Sequence, residues 1–315
     1  MEFLKMFILA LIGAIIPMSI YLYFLWKFDK NEPEPIKFVI YHFLYGATIA
    51  IILGIIGSKI ISIPLNFIFT EDTNNLLTII LVAPFVEEIA KATLLFKTIK
   101  SKNFDNLTDG LIYGGAIGLG FGMTENFLYF IAFSESFGDF LPLFILRTSF
   151  SAVMHCFSTA SVGGLMGLSK YSSNLKLIFI SVFALIVAML IHFTWNFSII
   201  LENTFFIGII FIIIVSFLFF LTYYFSLKYE YSIINKELKN EIPDNLLSVI
   251  SSANKFKKGW FTQPYQNIFI QKATLLAFRK HQVDISDNNN ELYNNEILQL
   301  RIDIAELLKS YKKLN

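Results

Sequence analysis

The run PFVEEIAK, residues 84–91, sets Glu87, Glu88 and Lys91 inside an otherwise apolar stretch, with NLLTIILVA before it and ATLLF after it. Three more apolar stretches carry similar groups: Glu125 and Asn126 in FGMTENFLY, Arg147 and His155 in LRTSFSAVMHCF, His192 and Asn196 in LIHFTWNF. A charge at the centre of a membrane helix costs about 2.5–3.5 kcal/mol on insertion scales. Such residues persist where they pair inside a bundle or do chemistry. A desolvated carboxylate can take a proton from water as general base, while histidine N–H and asparagine amide groups stabilise the oxyanion of a tetrahedral intermediate. A second route uses the same residue types. Two histidines and a carboxylate (Glu125, His155 and His192) hold Zn²⁺ with a position open for water, and another glutamate serves as base. Both routes hydrolyse an amide within the membrane. Nucleophilic catalysis by Cys156 is the weaker option, because it neighbours His155 at i, i+1, and such side chains do not face each other on a helix.

Helical spacing relates these groups. Lys91 is i+4 from Glu87 and i+3 from Glu88, so it can partner either acid. The two glutamates diverge by about 100° around the axis. One therefore enters a shared chamber, and the other is held by a basic neighbour, Lys91 or Arg147. His192 and Asn196 share a face. Gly110, Gly114, Gly118 and Gly122 recur every four residues and let a neighbouring backbone approach closely. Asn126 continues that register, so the glycine face brings Glu125 and Asn126 toward another helix. Lys91, Asn126 and Arg147 read as supporting groups. The structural alternative is an ion-pair network with hydrogen-bonded histidines and no chemistry.

The elements that must hold these groups are membrane helices. The chain has 315 residues, 55% of them hydrophobic with 35 Phe, and a mean hydropathy of +0.61, above the range of soluble domains. Apolar windows of roughly 20 residues fall at 3–25, 38–57, 76–96, 109–133, 140–166, 176–200 and 205–226. The fold class is all-α, a polytopic bundle of seven or eight spans. The first window is too long for a signal-peptide core and reads as a retained span. Residues 1–226 form the transmembrane domain and 227–315 a polar helical tail. In the tail, a helix starts at Asp244 and stops at Gly259, a second covers YQNIFIQKATLLAFRKHQ, and a third follows the polar loop DISDNNN.

Lysines set the orientation. Lys27, Lys30 and Lys37 follow the first span, Lys97, Lys100 and Lys102 the third, and Lys170 and Lys176 the fifth. The other side has Lys5 and Lys59 with Glu71, Asp72, Glu135, Asp139 and Glu202. The positive-inside rule puts the N-terminus outside and the tail in the cytoplasm. Alternating directions then bring Glu87, Glu125, His155 and His192 to similar depth, between the midplane and the outer third. A net charge of +1 gives no nucleic-acid signal, and one cysteine excludes an internal disulfide.

The set EEIAK at 87–91, FGMTEN at 121–126, RTSFSAVMH at 147–155 and HFTWN at 192–196 resembles the PrsW family of intramembrane proteases, within the superfamily of CAAX prenyl endoproteases and bacterial Abi proteins. Glutamate at 125, where the prenyl endoproteases have histidine, points to the PrsW branch. The resemblance covers spans three to six and leaves the tail outside. It implies an endopeptidase acting on membrane-bound protein substrates, an anti-sigma factor among them, cut at the extracytoplasmic side. It also implies Glu87, Glu88, Glu125, His155, His192 and Asn196 as functional positions; zinc is the candidate cofactor of the metal route alone. Partners it implies are the substrate and the bilayer; the helical tail, outside the resemblance, reads as a cytoplasmic packing or partner-binding module. A proton- or cation-coupled transporter, or a non-catalytic immunity protein, are the competing classes. The absence of an inverted repeat weakens the transporter.

Overall fold

Two of the long helices begin at capping boxes. The Asn106 side chain accepts from the Asp109 N–H while Asp109 accepts from the Asn106 N–H, and Ser136 and Asp139 repeat the pattern. Thr70 and Ser173 cap two more. The computed structural model describes residues 2–101, 103–285 and 290–314. Lys102 and residues 286–289 of the DISDNNN loop lie outside the described residues.

Seven long helices follow in order: α1 (Glu2–Phe28), α2 (Ile36–Leu65), α3 (71–98), α4 (Leu107–Phe133), α5 (Phe137–Ser169), α6 (Asn174–Ile200) and α7 (Phe205–Glu237). Each contains one expected window, and each runs past it. All the described regular structure is helical. Among the described residues six helices are long and apolar enough to cross a membrane, α1, α2 and α4 to α7. The expected seventh, α3, is helical throughout, but Glu87, Glu88 and Lys91 interrupt its apolar window.

Three of these helices contain a wide π turn, at 46–50 in α2, 78–82 in α3 and 147–151 in α5. Such turns insert one extra residue and are frequent at functional sites. In α5 the effect is direct. Arg147 and His155 are eight residues apart, about 80° off register in a regular helix, and one inserted residue returns them to within about 20°.

The α4 glycines seat that helix on α5. A Cβ at Gly110, Gly114 or Gly118 would run into the backbone of Gly163, Thr159 or His155, and one at Gly122 would meet Ala152 and the His155 ring. The other face of α4 packs on α2, where Gly120 meets the Phe43 carbonyl. This close approach places Glu125 and Asn126 against α5, as the four-residue spacing predicts. In contrast, α6 and α7 keep only 22% and 17% of their apolar windows buried, which leaves most of both surfaces for lipid.

The chain separates into two compact units, Met1–Asp29 with Glu34–Leu221, and Lys30–Pro33 with Thr222–Asn315. The second holds the end of α7 and three helices: α8 (Asp244–Ile250), α9 (Tyr265–Ile285) and α10 (Asn290–Leu314). Ile234, Leu238, Ile250, Phe269, Ala273, Leu300 and Ile304 form its core. The helix expected to reach Gly259 ends instead at Ile250. Ser252 accepts from the Asn254 N–H and starts a 3₁₀ turn there, and Gly259 takes a left-handed φ of 96° farther on. Asp244 lies in the first turn of α8, with Pro243 at the cap position.

Candidate active site

α3 supplies the first wall. Glu88 is fully buried and saturated. Its Oε1 accepts from Lys91 Nζ (2.8 Å), from His192 Nδ1 (2.9 Å) and from Ser158 Oγ (3.2 Å), and its Oε2 from Thr159 Oγ1 (3.4 Å). Glu87, one residue earlier, points elsewhere. Its Oε2 is buried without a hydrogen-bond partner, 3.8 Å from Lys91 Nζ and 3.9 Å from His192 Nε2. The side chain retains 14% exposure. The divergence of adjacent helical residues thus separates the acids as expected: Glu88 is held and Glu87 is free to act. Gly54 of α2 makes room, since a Cβ there would lie 3.1 Å from Glu87 Cγ.

Lys91 has no exposed surface, yet it is well supplied with partners. Besides Glu88 it donates to His155 Nδ1 (2.9 Å) and lies 4.0 Å above the Phe121 ring. An ammonium can only donate, so His155 accepts at Nδ1 and carries its proton on Nε2, which faces Glu125 Oε2 at 2.5 Å. Glu125 also accepts from Arg147 Nη2 (2.8 Å), while Arg147 Nε donates to Asn126 Oδ1 (3.0 Å) and the guanidinium stacks 3.6 Å from the Tyr129 ring. Arg147 therefore neutralises Glu125 from across a helix interface; the expected pairing of Arg147 with Glu87 or Glu88 is not the one formed. On α6, the same logic applies to His192. Its Nδ1 donates to Glu88, which leaves the lone pair on Nε2 toward Glu87. The His155 and His192 rings meet edge to face, 4.9 Å apart.

Glu87, Glu88, Glu125, His155 and His192 are brought together as the sequence proposes. Asn196 is not part of this network. Its Nδ2 donates to the Ile79 carbonyl (2.9 Å) in the α3 π turn and so pins α6 to α3. Cys156 is buried on another face of α5, with Sγ against Gly115 of α4. The residues missed by sequence reasoning are Ser158, Thr159 and Gly54; Phe121 opens the FGMTEN motif but had no role assigned. Ser158 and Thr159 stand at i+3 and i+4 from His155, so their shared face was the available signal.

The carboxylate oxygen of Glu87 and one ring nitrogen each of His155 and His192 lie within 4.8 Å of one another, a spacing that suits one metal ion. This trio differs from the expected one in its carboxylate: Glu87 converges with the two histidines, and Glu125 serves His155 from outside.

The family model for PrsW family intramembrane metalloproteases matches residues 34–224. The chain belongs to that family. PrsW proteins are intramembrane peptide-bond hydrolases, and every residue of the site described above falls inside the matched segment. The protein is 29% identical to Protease PrsW of Clostridioides difficile over 195 residues, 60% of this chain and 78% of the relative. It is 25% identical to Protease PrsW of Oceanobacillus iheyensis over 185 residues, 59% of this chain and 80% of the relative. No solved structure matches it. Membership in the PrsW family sets aside the transporter as a reading of the buried glutamates.

Proposed function

We propose that this protease cuts a single-span membrane protein, an anti-sigma factor or one like it, at its extracytoplasmic side, as the first cut of regulated proteolysis. The observation that carries the chemistry is the unpartnered, buried Glu87 Oε2 beside His192 Nε2. An unpaired buried oxygen is costly, and a water molecule or cation would satisfy it. In the mechanism we infer, Glu88 holds the His192 tautomer and so keeps Nε2 open toward Glu87. In the route without a metal, Glu87 accepts the proton of the attacking water and returns it to the departing amine. Arg147 and Glu125 fix the His155 ring, and Lys91 ties His155 to Glu88, so the α3 and α5 walls hold one geometry.

The donor set fits a divalent cation. Two imidazoles and a carboxylate converge, one oxygen is unpartnered, and one ring nitrogen carries a lone pair. Carboxylate partners behind metal-binding histidines, as Glu88 is to His192, are a usual accompaniment. As the second route we propose zinc, held by Glu87, His155 and His192; His155 would join by releasing one of its two present hydrogen bonds, and Glu87 would then be a ligand in place of its role as base. When bound, the ion would act as a Lewis acid on water and on the scissile carbonyl. Elemental analysis of purified, detergent-solubilised protein tests this. One zinc per chain, lost together with cleavage in His192→Ala, is expected. Full activity at sub-stoichiometric zinc would overturn it.

We further infer from the lysine distribution that the N-terminus is extracytoplasmic and the tail cytoplasmic. On that reading residues 1–226 are the protease domain, and 227–315 an accessory region that meets a cytoplasmic partner. Proteomics of membrane proteins that accumulate in a Glu87→Gln strain identifies the substrate. Accumulation of no single-span protein would refute this substrate class.

A further inference from the structure

We propose that the turn Phe256–Trp260 binds the headgroups of anionic phospholipids in the bilayer that holds the spans. Three observations meet there. The first is composition and exposure. Phe256 is 51% exposed, Lys257 and Lys258 are exposed beside it, and the sequence FKKGW sets the two lysines between two aromatic residues. An exposed Phe followed by two exposed lysines suits an apolar–aqueous boundary. At a membrane boundary it is the usual chemistry, with rings at the headgroup level and lysines toward phosphate.

The second is rigidity. Trp260 Nε1 donates to the Lys255 carbonyl (2.9 Å) and Gln266 Nε2 to the Lys257 carbonyl (2.8 Å). Gly259 takes the left-handed φ of 96° that the tight return requires. The turn is thus built before any ligand arrives, and its two lysines are held side by side.

The third is location along the chain. Lys255, unlike its neighbours, is fully buried, and its Nζ donates to Asn31 Oδ1 (2.5 Å); Asn31 Nδ2 in turn donates to Glu230 Oε2 (2.6 Å). Asn31 stands three residues beyond Phe28, where the candidate span Phe3–Phe28 ends. Three residues reach at most about 11 Å. The root of the turn is therefore tied within headgroup distance of the point where α1 leaves the apolar layer. A soluble acidic partner would also suit two lysines. It would not account for the exposed Phe256 or for an anchor at a span end.

The test uses the full chain in vesicles of phosphatidylcholine containing about one third phosphatidylglycerol, with photoactivatable headgroup analogues of either lipid as probes. Cross-links mapped by mass spectrometry are expected at 256–260, about fivefold or more richer with the phosphatidylglycerol probe, given the attraction of one lysine to an anionic surface. High salt is expected to reduce them. The charge reversal K257E/K258E, and the milder K257Q/K258Q should the first fold poorly, are expected to bring them to the phosphatidylcholine level. Equal labelling by both probes, labelling unchanged in both variants, or no labelling of the turn would overturn the proposal.

Discussion

Glu88 Oε1 and His192 Nδ1 lie 2.9 Å apart across the interface of α3 and α6. That one contact sorts the adjacent glutamates. Glu88 is consumed by His192, Lys91, Ser158 and Thr159, and Glu87 is left as the carboxylate with an open oxygen.

Glu87→Gln keeps the side-chain volume and removes the proton acceptor. Cleavage of a co-expressed membrane substrate is expected to fall by a factor on the order of 10²–10⁴, the usual contribution of a general base. The folded fraction is expected to stay unchanged, because Glu87 Oε2 accepts no hydrogen bond. Wild-type cleavage in this variant would remove Glu87 from the chemistry.

Glu88 and Lys91 behave as a buried pair. Replacing either alone, by Gln or Met, strands the other and is expected to cost on the order of 3 kcal/mol in unfolding free energy. The double variant Glu88→Gln/Lys91→Met is expected to cost less than the sum of the two, by roughly 1 kcal/mol or more. A denaturant titration of the four proteins measures the coupling, and strict additivity would contradict the pairing.

Gly118 holds α4 against the backbone of His155. Gly118→Ala would press a methyl group into the His155 carbonyl. The expected loss is about 1–3 kcal/mol of stability, with cleavage reduced at least tenfold, because the Glu125–His155 contact crosses the same interface. Gly138→Ala, where the added carbon meets only Ser136 Oγ at 3.5 Å, is the control. Equal effects at the two positions would refute the packing argument.

In the second unit, Glu241 joins α9 and α10. Arg301 Nη2 donates to its Oε1 at 2.6 Å and Lys280 Nζ to the same oxygen at 3.0 Å. The Arg301 hydrogen bonds, with Lys280 helping and partial burial opposing, hold the Glu241 carboxyl below its ordinary value. A depressed carboxylate contributes stability that is present above the unfolded-chain value of about 4.3 and lost as pH falls below it. Unfolding of this unit, followed by Trp260 emission with Trp26 and Trp195 replaced by Phe, is expected to weaken through that range. Glu241→Gln is expected to be weaker near neutrality and to show a flatter acid profile. Parallel pH profiles would contradict the assignment.

Much of the architecture was legible in the residues. Hydropathy windows located the helices α1 to α7, because a membrane helix must be apolar over most of its length. The four-residue glycine repeat announced the tight α4–α5 interface, since only the absence of Cβ allows backbones so close. The charged residues within the windows named Glu87, Glu88, Glu125, His155 and His192 as one chamber. The tail was less legible. Its first helix breaks at Ser251 and Ser252, where a side-chain hydrogen bond competes with the helical one.

Sequence by itself determined the membrane class, the helices and the set of polar residues, because hydrophobicity and helical period are properties of local residue order. Only the tertiary structure decided how those residues are shared out. It gave Arg147 to Glu125, Glu88 to His192 and Asn196 to the Ile79 carbonyl, and it left Glu87 open. Each of these pairings joins two different helices, and spacing along one chain does not encode the facing of another. The π turn at 147–151 adds to this, since one inserted residue rotates Arg147 onto the face of His155. The chamber is composed by sequence, and its division of labour is set by packing.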